Sequence, residues 1–574
     1  MSLLRPLSLL LVVCLFAGCG DDRDLVREIQ ASRQARVQTE SKQDHLGEAF
    51  SLLQRLVELN PTRAQQQIRF HLNQWLQTRG DVPASGTPEI ASTLRGVVPP
   101  EVLDEQIGGT NFVGGDVKHL RDAYLFRQIV QWVDRPGETD PLWMSWFEDG
   151  AGGLDPDSLD SLQTASRLFD WTVRNVALQP RVLTQPAPEP PPLPEGLEFR
   201  GAGYRQSDYE TIWRGTGDGL QRAGVFEQLC RQAGLAAAIL AVPSDDSGRL
   251  TPWAVGVMIG NEVYLFEPEL GLPIPGPDQV GIATLKQARR DESVLRRLKV
   301  PGFFDYPFDK ADVQQVTAML NLMPEAVATR MKLLQESLTG QRRMTLYVDA
   351  DDSSERWDAI AGVAGARWWP VPIQAEIYRA AMENQAMRDP FFAFWYQSQW
   401  LIMDAQAEMP QMLSQGRWRH LHGEFSDDED DLTEGARTLY LSQRAPEFEI
   451  ADLRIDLELQ KAYGLRRELG MDNQQFEAQI AQVQRLMRQG KRTATYWLSL
   501  VQYDDGRIET ARNWFDKRVL DPNQPTPWEP AARYNLARTE EQLGQTEAAV
   551  KLLKTVGDPQ EQGNRIRARL IGRD

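Results

Sequence analysis

The sequence has 574 residues and a net charge of −18, and its composition is globular, with 41% hydrophobic and 25% charged residues. A chain of this length is too long for one core, so we expect three or four domains. The acidic excess argues against nucleic acid or anionic lipid surfaces as partners, because both repel a negatively charged protein. Three cysteines occur, Cys14, Cys19 and Cys230, and the first two lie in an apolar N-terminal segment. A single remaining cysteine cannot pair within its own chain, which excludes a disulfide framework.

The N-terminal segment has the order of a secretory signal: Arg5, an apolar run over residues 7–16, and small residues before Cys19. The run is too short to span a bilayer. The tetrapeptide "FAGC" resembles a bacterial lipobox, which implies cleavage before Cys19 and attachment of lipid to that residue. An ordinary signal peptide cut nearby is the alternative. The resemblance predicts a bacterial cell-envelope protein, anchored to a membrane by lipid and facing the periplasm or the exterior.

The following region has the apolar spacing of helices. Residues 44–61 and 65–80 predict a helical hairpin, and residues 116–134 and 160–178 predict two further helices. The segment "QPAPEPPPLPEG", residues 185–196, contains six prolines. This composition favours extended polyproline II, so we interpret the segment as a stiff spacer, with an SH3-type ligand as the alternative.

Beyond the spacer the pattern changes from helical to mixed. Residues 236–242, 253–259 and 262–268 predict three strands, and the last two form a hairpin. The segment "RRMTLYVDAD", residues 342–351, predicts another strand with a helix on each side. Residues 195–372 are therefore predicted to form a mixed α+β region.

From Ile373 to the end the pattern is helical, except for an acidic stretch at 426–435 that predicts a solvated loop. Two C-terminal segments, "YWLSLVQYDDGRIETARNWF" and "YNLARTEEQLGQTEAAVKLL", match each other in the spacing of leucine, glycine and alanine. They resemble the tetratricopeptide repeat, with a generic helical hairpin as the alternative. The resemblance implies either a surface for a protein or peptide partner or packing on the chain's own core. The residues that we assign to a possible binding surface are Trp368, Trp369, Tyr534, Asn535 and Arg538.

Three phrases in the middle of the chain follow the order of a bacterial transglutaminase-like domain: "LFDWTVRNVAL", "RAGVFEQLCRQAGLAAAILAV" and "WAVGVMIGNEVYLFEPELG". Residues 171–176 match the end of the family's early helix, and Leu229, Arg231 and Gly234 match the end of its core helix. The resemblance covers about residues 165–300. It implies a papain-like α+β fold with positions for a cysteine, a histidine and a carboxylate.

Matching the family's pattern places the nucleophile at Gly219 or Leu220, the histidine at Pro252 or Trp253, and the carboxylate at Glu267. The chemistry needs a thiolate at a helix N-terminus, a histidine paired with it and a carboxylate that orients the histidine. Glycine cannot attack and tryptophan cannot accept the proton. The resemblance therefore implies a domain whose chemistry has been lost. A glutamate before proline, as at Glu267, is also typical of a surface residue or an ion-pair partner.

Cys230 is the one thiol in the body of the chain. It lies eleven residues beyond Gly219, which is three helical turns or ~16 Å along a helix axis. It shares a stripe with Phe226 and Leu229, at the spacing of a core-facing surface. We therefore expect a buried, inert thiol.

The remaining candidates are histidines and aromatic clusters. His420 and His422 are two residues apart with no third ligand evident, so we expect no metal and no cofactor. The clusters at 368–369 and 391–400 would suit stacking on an envelope glycan, but their spacing favours core packing.

Together these observations predict a multidomain protein with a helical N-terminal region, an α+β transglutaminase-like (papain-like) core domain and an α-helical repeat region at the C-terminus. We expect a non-catalytic scaffold that binds a protein or peptide. The alternatives are an enzyme of the same superfamily that uses Cys230 or a displaced site, and a cell-wall glycan-binding protein. The predicted segments are the signal peptide 1–18, the N-terminal helical region 19–184, the Pro-rich linker 185–196, the transglutaminase-like core 165–310 with its preceding helix, an α/β segment 311–372, a helical region 373–490 and the repeats 491–574.

Overall fold

The computed structural model describes residues 44–572 with internal gaps. The gaps are residues 81, 95, 136–139, 181–188, 194, 200, 245–247, 390–411, 429, 431, 445–446, 464 and 468. The predicted signal peptide, Cys19, the first part of the Pro-rich segment and the aromatic cluster at 391–400 lie outside the described residues. Across the part of the chain that is described, no helix is both long and apolar enough to cross a membrane.

The N-terminal part is helical, as predicted. Its helices are α1 (His45–Gln54), α2 (Pro61–Gln77), α3 (Pro100–Gly108), α4 (Gly114–Val133), α5 (Met144–Glu148) and α6 (Pro156–Asn175). The expected hairpin is formed by α1 and α2. Asn60 begins α2, because its side chain accepts a hydrogen bond from the Arg63 amide at 3.1 Å and proline occupies the first helical position.

The central part contains a sheet of six strands. The strands of the sheet are β3 (Ala236–Pro243), β4 (Leu250–Ile259), β5 (Glu262–Glu267), β6 (Leu272–Pro273), β7 (Val316–Leu320) and β8 (Val363–Trp368). They are ordered β6-β5-β4-β3-β7-β8, and every pair is antiparallel except β7 with β8. The predictions of β3, β4, β5 and the hairpin between the last two are confirmed. Two short segments, β1 (Ala177–Leu178) and β2 (Thr216–Gly217), form a separate parallel pair.

The strand predicted at 342–351 is wrong. Residues 343–349 do not pair in the sheet, and three of their amides donate to the side chains of Gln232 and Gln335 instead. Gln232 accepts a hydrogen bond from Thr345 at 3.0 Å, and Gln335 accepts one from Leu346 at 2.7 Å. The helices predicted on each side of the segment are present. Strands β7 and β8, which were not predicted, form the edge of the sheet next to β3.

The central part also contains helices, several of which contact the sheet. They are α7 (Asp208–Arg214), α8 (Gly219–Gln232), α9 (Leu285–Arg290), α10 (Glu292–Arg296), α11 (Thr329–Ser337), α12 (Ala350–Asp358) and α13 (Val371–Arg388). The central one is α8, which packs on β3 and β4 on one side and on α4 and α6 on another. It begins in a capping box in which Asp218 and Gln221 exchange two hydrogen bonds of 2.8 and 3.0 Å.

The C-terminal region is helical among the described residues. Its helices are α14 (Met412–Leu421), α15 (Ala436–Gln443), α16 (Glu447–Asp452), α17 (Leu457–Ala462), α18 (Asn473–Asp504), α19 (Ile508–Trp514), α20 (Glu529–Gln542), α21 (Thr546–Leu553) and α22 (Glu561–Ile571). The two matched segments form helical hairpins, α18 with α19 and α20 with α21. Gly506 and Gly544 make the turns with φ of 71° and 70°, and Ala511 and Ala549 are fully buried where the paired helices approach.

One continuous core joins the predicted regions. Buried apolar side chains in contact with one another extend from Ala49 in α1 to Leu570 in α22. The described part of the Pro-rich segment is also tied to this body, because Gln374 in α13 donates a hydrogen bond to the Pro192 carbonyl at 2.7 Å.

Candidate functional site

The three positions that matched the catalytic residues lie together. Gly219 is the first residue of α8, Trp253 lies on β4, and Glu267 ends β5. Strands β4 and β5 are antiparallel neighbours, with Val255 opposite Phe266, so Trp253 and Glu267 meet at one end of the pair. All three residues line one cavity of about 50 Å³. The alternatives Leu220 and Pro252 line the same cavity, as do Ala223, Ile239, Ala254, Pro268, Glu269, Leu270, Tyr306, Pro307, Phe308 and Gln562.

Trp253 fills the place where the histidine was expected. It is 5% exposed, and its indole N–H donates a hydrogen bond to the Tyr306 hydroxyl at 2.8 Å. Its ring also lies 6.3 Å from the ring of Phe308. The space that is left is water-sized, whereas sites for small ligands typically enclose about 300–1,000 Å³. The cavity is therefore closed to a peptide substrate.

Gly219 brings the backbone of α8 close to the chain that follows β5. A Cβ atom at this position would lie 3.1 Å from the Cβ of Glu269. A nucleophilic side chain here would require Glu269 to shift. The helix N-terminus is thus present, but a side chain beside it would require Glu269 to give by a few tenths of an ångström.

Glu267 is buried, with 5% of its surface exposed, so the interpretation of a surface residue is wrong. Its Oε1 accepts a hydrogen bond from the Glu269 amide at 3.1 Å. The carboxylate thus helps to fix the turn that follows β5, on the wall of the closed cavity.

Cys230 lies on the core-facing side of α8 and is completely buried. Burial, together with the charge of Glu227, raises the pKa of the thiol well above its usual value. A thiol that stays protonated is a poor nucleophile. The prediction of a core cysteine is confirmed.

His420 and His422 have separate partners. His420 Nε2 donates to the Asp504 carboxylate at 3.0 Å, and His422 Nδ1 donates to the Trp418 carbonyl at 2.7 Å. Burial lowers the pKa of His422 to about 4. Within the described residues, no group of three or more His, Cys, Asp or Glu side chains is placed to hold a metal ion.

The predicted binding surface is wrong, because its five residues are buried. Trp368, Trp369, Tyr534, Asn535 and Arg538 are between 0% and 5% exposed.

The three repeat residues among them lie against the chain's own core. Asn535 donates to the Arg174 carbonyl at 3.1 Å, and Arg538 forms ion pairs of 3.1 Å with both Asp140 and Asp170. Helix α20 is thereby fixed against α6. The repeat resemblance implied either a surface for a partner or packing on the chain's own core. The face of α20 that carries these residues packs on the chain's own core.

Two of the larger cavities among the described residues were not predicted from the sequence. One, which we call the polar cleft, encloses about 1,090 Å³ between the N-terminal hairpin, α4 and α14. Its lining includes Gln54, Arg55, Glu58, Tyr124, Gln128, Gln131, Gln341, Arg342, Gln415, Trp418, Arg419, His422, Glu424, Thr433 and Glu434. The other, which we call the three-helix cavity, encloses about 430 Å³ between α4, α8 and α13. Residues far apart in the sequence line both, so no local motif marks them.

Comparison with known proteins gives no relative: no protein family matches the chain, and neither a curated protein nor a solved structure matches it. The chemistry of its own surfaces is therefore the basis for assigning a function.

Proposed function

We propose that this protein is a non-catalytic scaffold of the bacterial cell envelope, anchored by lipid on Cys19, that holds a protein or peptide partner in the polar cleft. The observation that carries the proposal is the closed cavity. The positions that the transglutaminase-like pattern assigns to the catalytic residues converge there, but they hold Gly219, Trp253 and Glu267. Glycine and tryptophan supply neither a nucleophile nor a base, so binding is the function that the domain retains.

The polar cleft has the size and chemistry for a peptide. Its volume of about 1,090 Å³ exceeds that of the closed cavity about twentyfold. A glutamine amide both donates and accepts hydrogen bonds, as does each residue of an extended peptide backbone. Gln128 and Gln131 lie one turn apart on α4, so both amides face the same cleft. Charges of both signs, such as Arg342 and Glu434, line it as well.

Aromatic side chains form part of the same cleft. The rings of Trp418 and His422 lie 4.1 Å apart, and Tyr124 lies 5.8 Å from His422. His422 carries no charge at neutral pH because burial lowers its pKa to about 4. This group therefore adds uncharged, largely buried aromatic rings to the lining beside the amides, which suits contact with the side chain of a bound peptide.

The experiment is peptide binding by the full chain. A peptide selected from a synthetic library is titrated by calorimetry into the wild type and into a Gln128→Leu/Gln131→Leu variant. We expect the double substitution to weaken peptide binding at least about tenfold. Each lost hydrogen bond between neutral groups costs about 0.5–1.5 kcal/mol and leaves a polar group of the peptide unpaired. Gln524→Leu, at an exposed position outside the cleft, is the matched control and should bind as the wild type does.

Three results would contradict the proposal. Equal affinity of the wild type and the double variant would exclude the polar cleft as the site. Incorporation of a fluorescent amine into a glutamine-containing peptide, abolished by Cys230→Ser, would establish the enzyme alternative instead. Binding of purified cell-wall glycan in the cleft, with no peptide bound, would support the glycan-binding alternative.

A further inference from the structure

The three-helix cavity has apolar walls and an ionisable floor. Its volume of about 430 Å³ lies in the range of ligand-binding pockets. Val98, Val102 and Ile377 form part of its walls, and Val102 and Ile377 are about 40% exposed at the opening. Apolar side chains at an opening favour a ligand that carries an apolar group.

The cations that line the cavity are already paired. Lys118 Nζ lies 2.6 Å from Glu376 Oε2, and Arg231 lies 2.8 Å from Glu227. Arg330, just behind the floor, is bonded to Asp116 at 2.9 Å and to the carbonyls of residues 106, 107 and 109. Each of these guanidinium and ammonium groups is therefore already paired with a carboxylate. None of them is available to pair with a further carboxylate.

Glu325 is the carboxylate without such a partner. It lines the cavity, is 5% exposed, and its Oε2 accepts no hydrogen bond from any described residue. A buried carboxylate without a counter-charge is costly, and Glu325 lacks a cationic partner among the described residues. Asp208, which also lines the cavity, is bonded to the amide of Asn321 at 2.9 Å.

We propose that the three-helix cavity binds an alkylammonium group, with the ammonium pairing with the Glu325 carboxylate and the alkyl chain lying along Val98, Val102 and Ile377. An anionic ligand would meet Asp122, Asp208, Glu325 and Glu376 on the lining, while both lining cations are already paired. A neutral ligand would leave Glu325 without a charged partner. This inference stands independently of the function proposed for the polar cleft.

The site also predicts a release of protons. Burial, with the charges of Asp116 and Glu376, raises the pKa of Glu325 to about 7, against the opposing effect of Arg330. On the facing helix α4, burial lowers the pKa of His119 to about 4, so this imidazole is neutral throughout, and Lys118 is paired with Glu376. An ammonium ion favours the ionised form of Glu325, so binding expels a proton and strengthens as the pH rises from about 6 to 8.

The test uses the full chain and three ligands of one length: n-hexylammonium, n-hexanol and n-hexanoate. Calorimetry at pH 7.5 should show n-hexylammonium binding at least about tenfold more tightly than n-hexanol and no binding of n-hexanoate. Glu325→Gln should reduce the affinity for n-hexylammonium about tenfold and leave that for n-hexanol unchanged. Glu336→Gln, at an exposed position on α11, is the matched control and should change neither. Proton release at pH 6.5, measured in two buffers of different ionisation enthalpy, should disappear in Glu325→Gln.

A second variant and a second ligand complete the test. Ile377→Trp narrows the opening without touching the floor and should weaken the binding of n-hexylammonium and of n-hexanol alike. Competition by a lysine capped at both ends would identify a lysine side chain as the source of the ammonium, and its failure would identify a free amine. The proposal is overturned if n-hexylammonium binds no better than n-hexanol, or if Glu325→Gln binds n-hexylammonium as the wild type does.

Discussion

Replacing Trp253 with alanine tests whether the closed cavity is part of the core. The side chain is 5% exposed, packs beside Phe308 and donates to the Tyr306 hydroxyl at 2.8 Å. Removing a buried tryptophan side chain costs about 3–5 kcal/mol of stability. Loss of the hydrogen bond accounts for about 1 kcal/mol of this cost. We therefore expect the free energy of unfolding to fall by about 3–5 kcal/mol.

Urea unfolding followed by circular dichroism measures this loss. Val280→Ala is the control, because Val280 is 61% exposed and its truncation should change stability by no more than about 0.5 kcal/mol. A loss below about 1 kcal/mol for Trp253→Ala, or a gain in stability, would refute the reasoning. Such a result is typical of residues kept for function at the expense of stability.

Three further substitutions test the structure elsewhere. Asp504→Asn removes a buried carboxylate that lies 2.6 Å from Arg174, and we expect a loss of about 3–5 kcal/mol at pH 7. The ion pairs lower the pKa of Asp504, so the stability that this carboxylate gives the wild type is lost as the pH falls below about 4. The difference in urea midpoint between the wild type and Asp504→Asn should therefore shrink over this range. A constant difference would contradict this prediction. Burial raises the pKa of Glu325 to about 7, so the wild type loses stability as the pH rises from 4.5 to about 7, whereas Glu325→Gln does not. The variant should therefore gain about 3 kcal/mol relative to the wild type over this range by linkage. A stability difference that does not depend on pH would count against this prediction. Gly544→Val should cost about 1–2 kcal/mol of stability, measured by thermal unfolding, because Gly544 has a φ of 70°. No atom lies near a new Cβ at this position, so the cost comes from the backbone conformation. Gly86→Val, at an equally open position without a positive φ, is the control and should cost less.

The elements that were predicted correctly are those specified by local sequence. Strands β3, β4 and β5 are continuous apolar runs bounded by turns, and α8 begins at a capping box that Asp218 and Gln221 encode three residues apart in the chain. The segment 342–351 has the same apolar character, but side chains distant in sequence bind its amides. No local pattern contains that information.

The candidate site was predictable in part for a similar reason. The order of helix and strands was enough to bring Gly219, Trp253 and Glu267 to one cavity. The burial of Arg538 was not predictable, because it depends on how α20 packs against Asp140 and Asp170. The polar cleft and the three-helix cavity depend on the same long-range packing.

The reactivity of Cys230 in the native protein tests most directly the claim that the domain carries no thiol chemistry. The folded chain is treated with iodoacetamide at pH 7.5, and modification of the peptide that contains Cys230 is followed by mass spectrometry. Because the thiol is fully buried and its pKa is raised, we expect labelling to be slow and to accelerate only in denaturant. Rapid labelling of Cys230 in the folded protein would contradict this account.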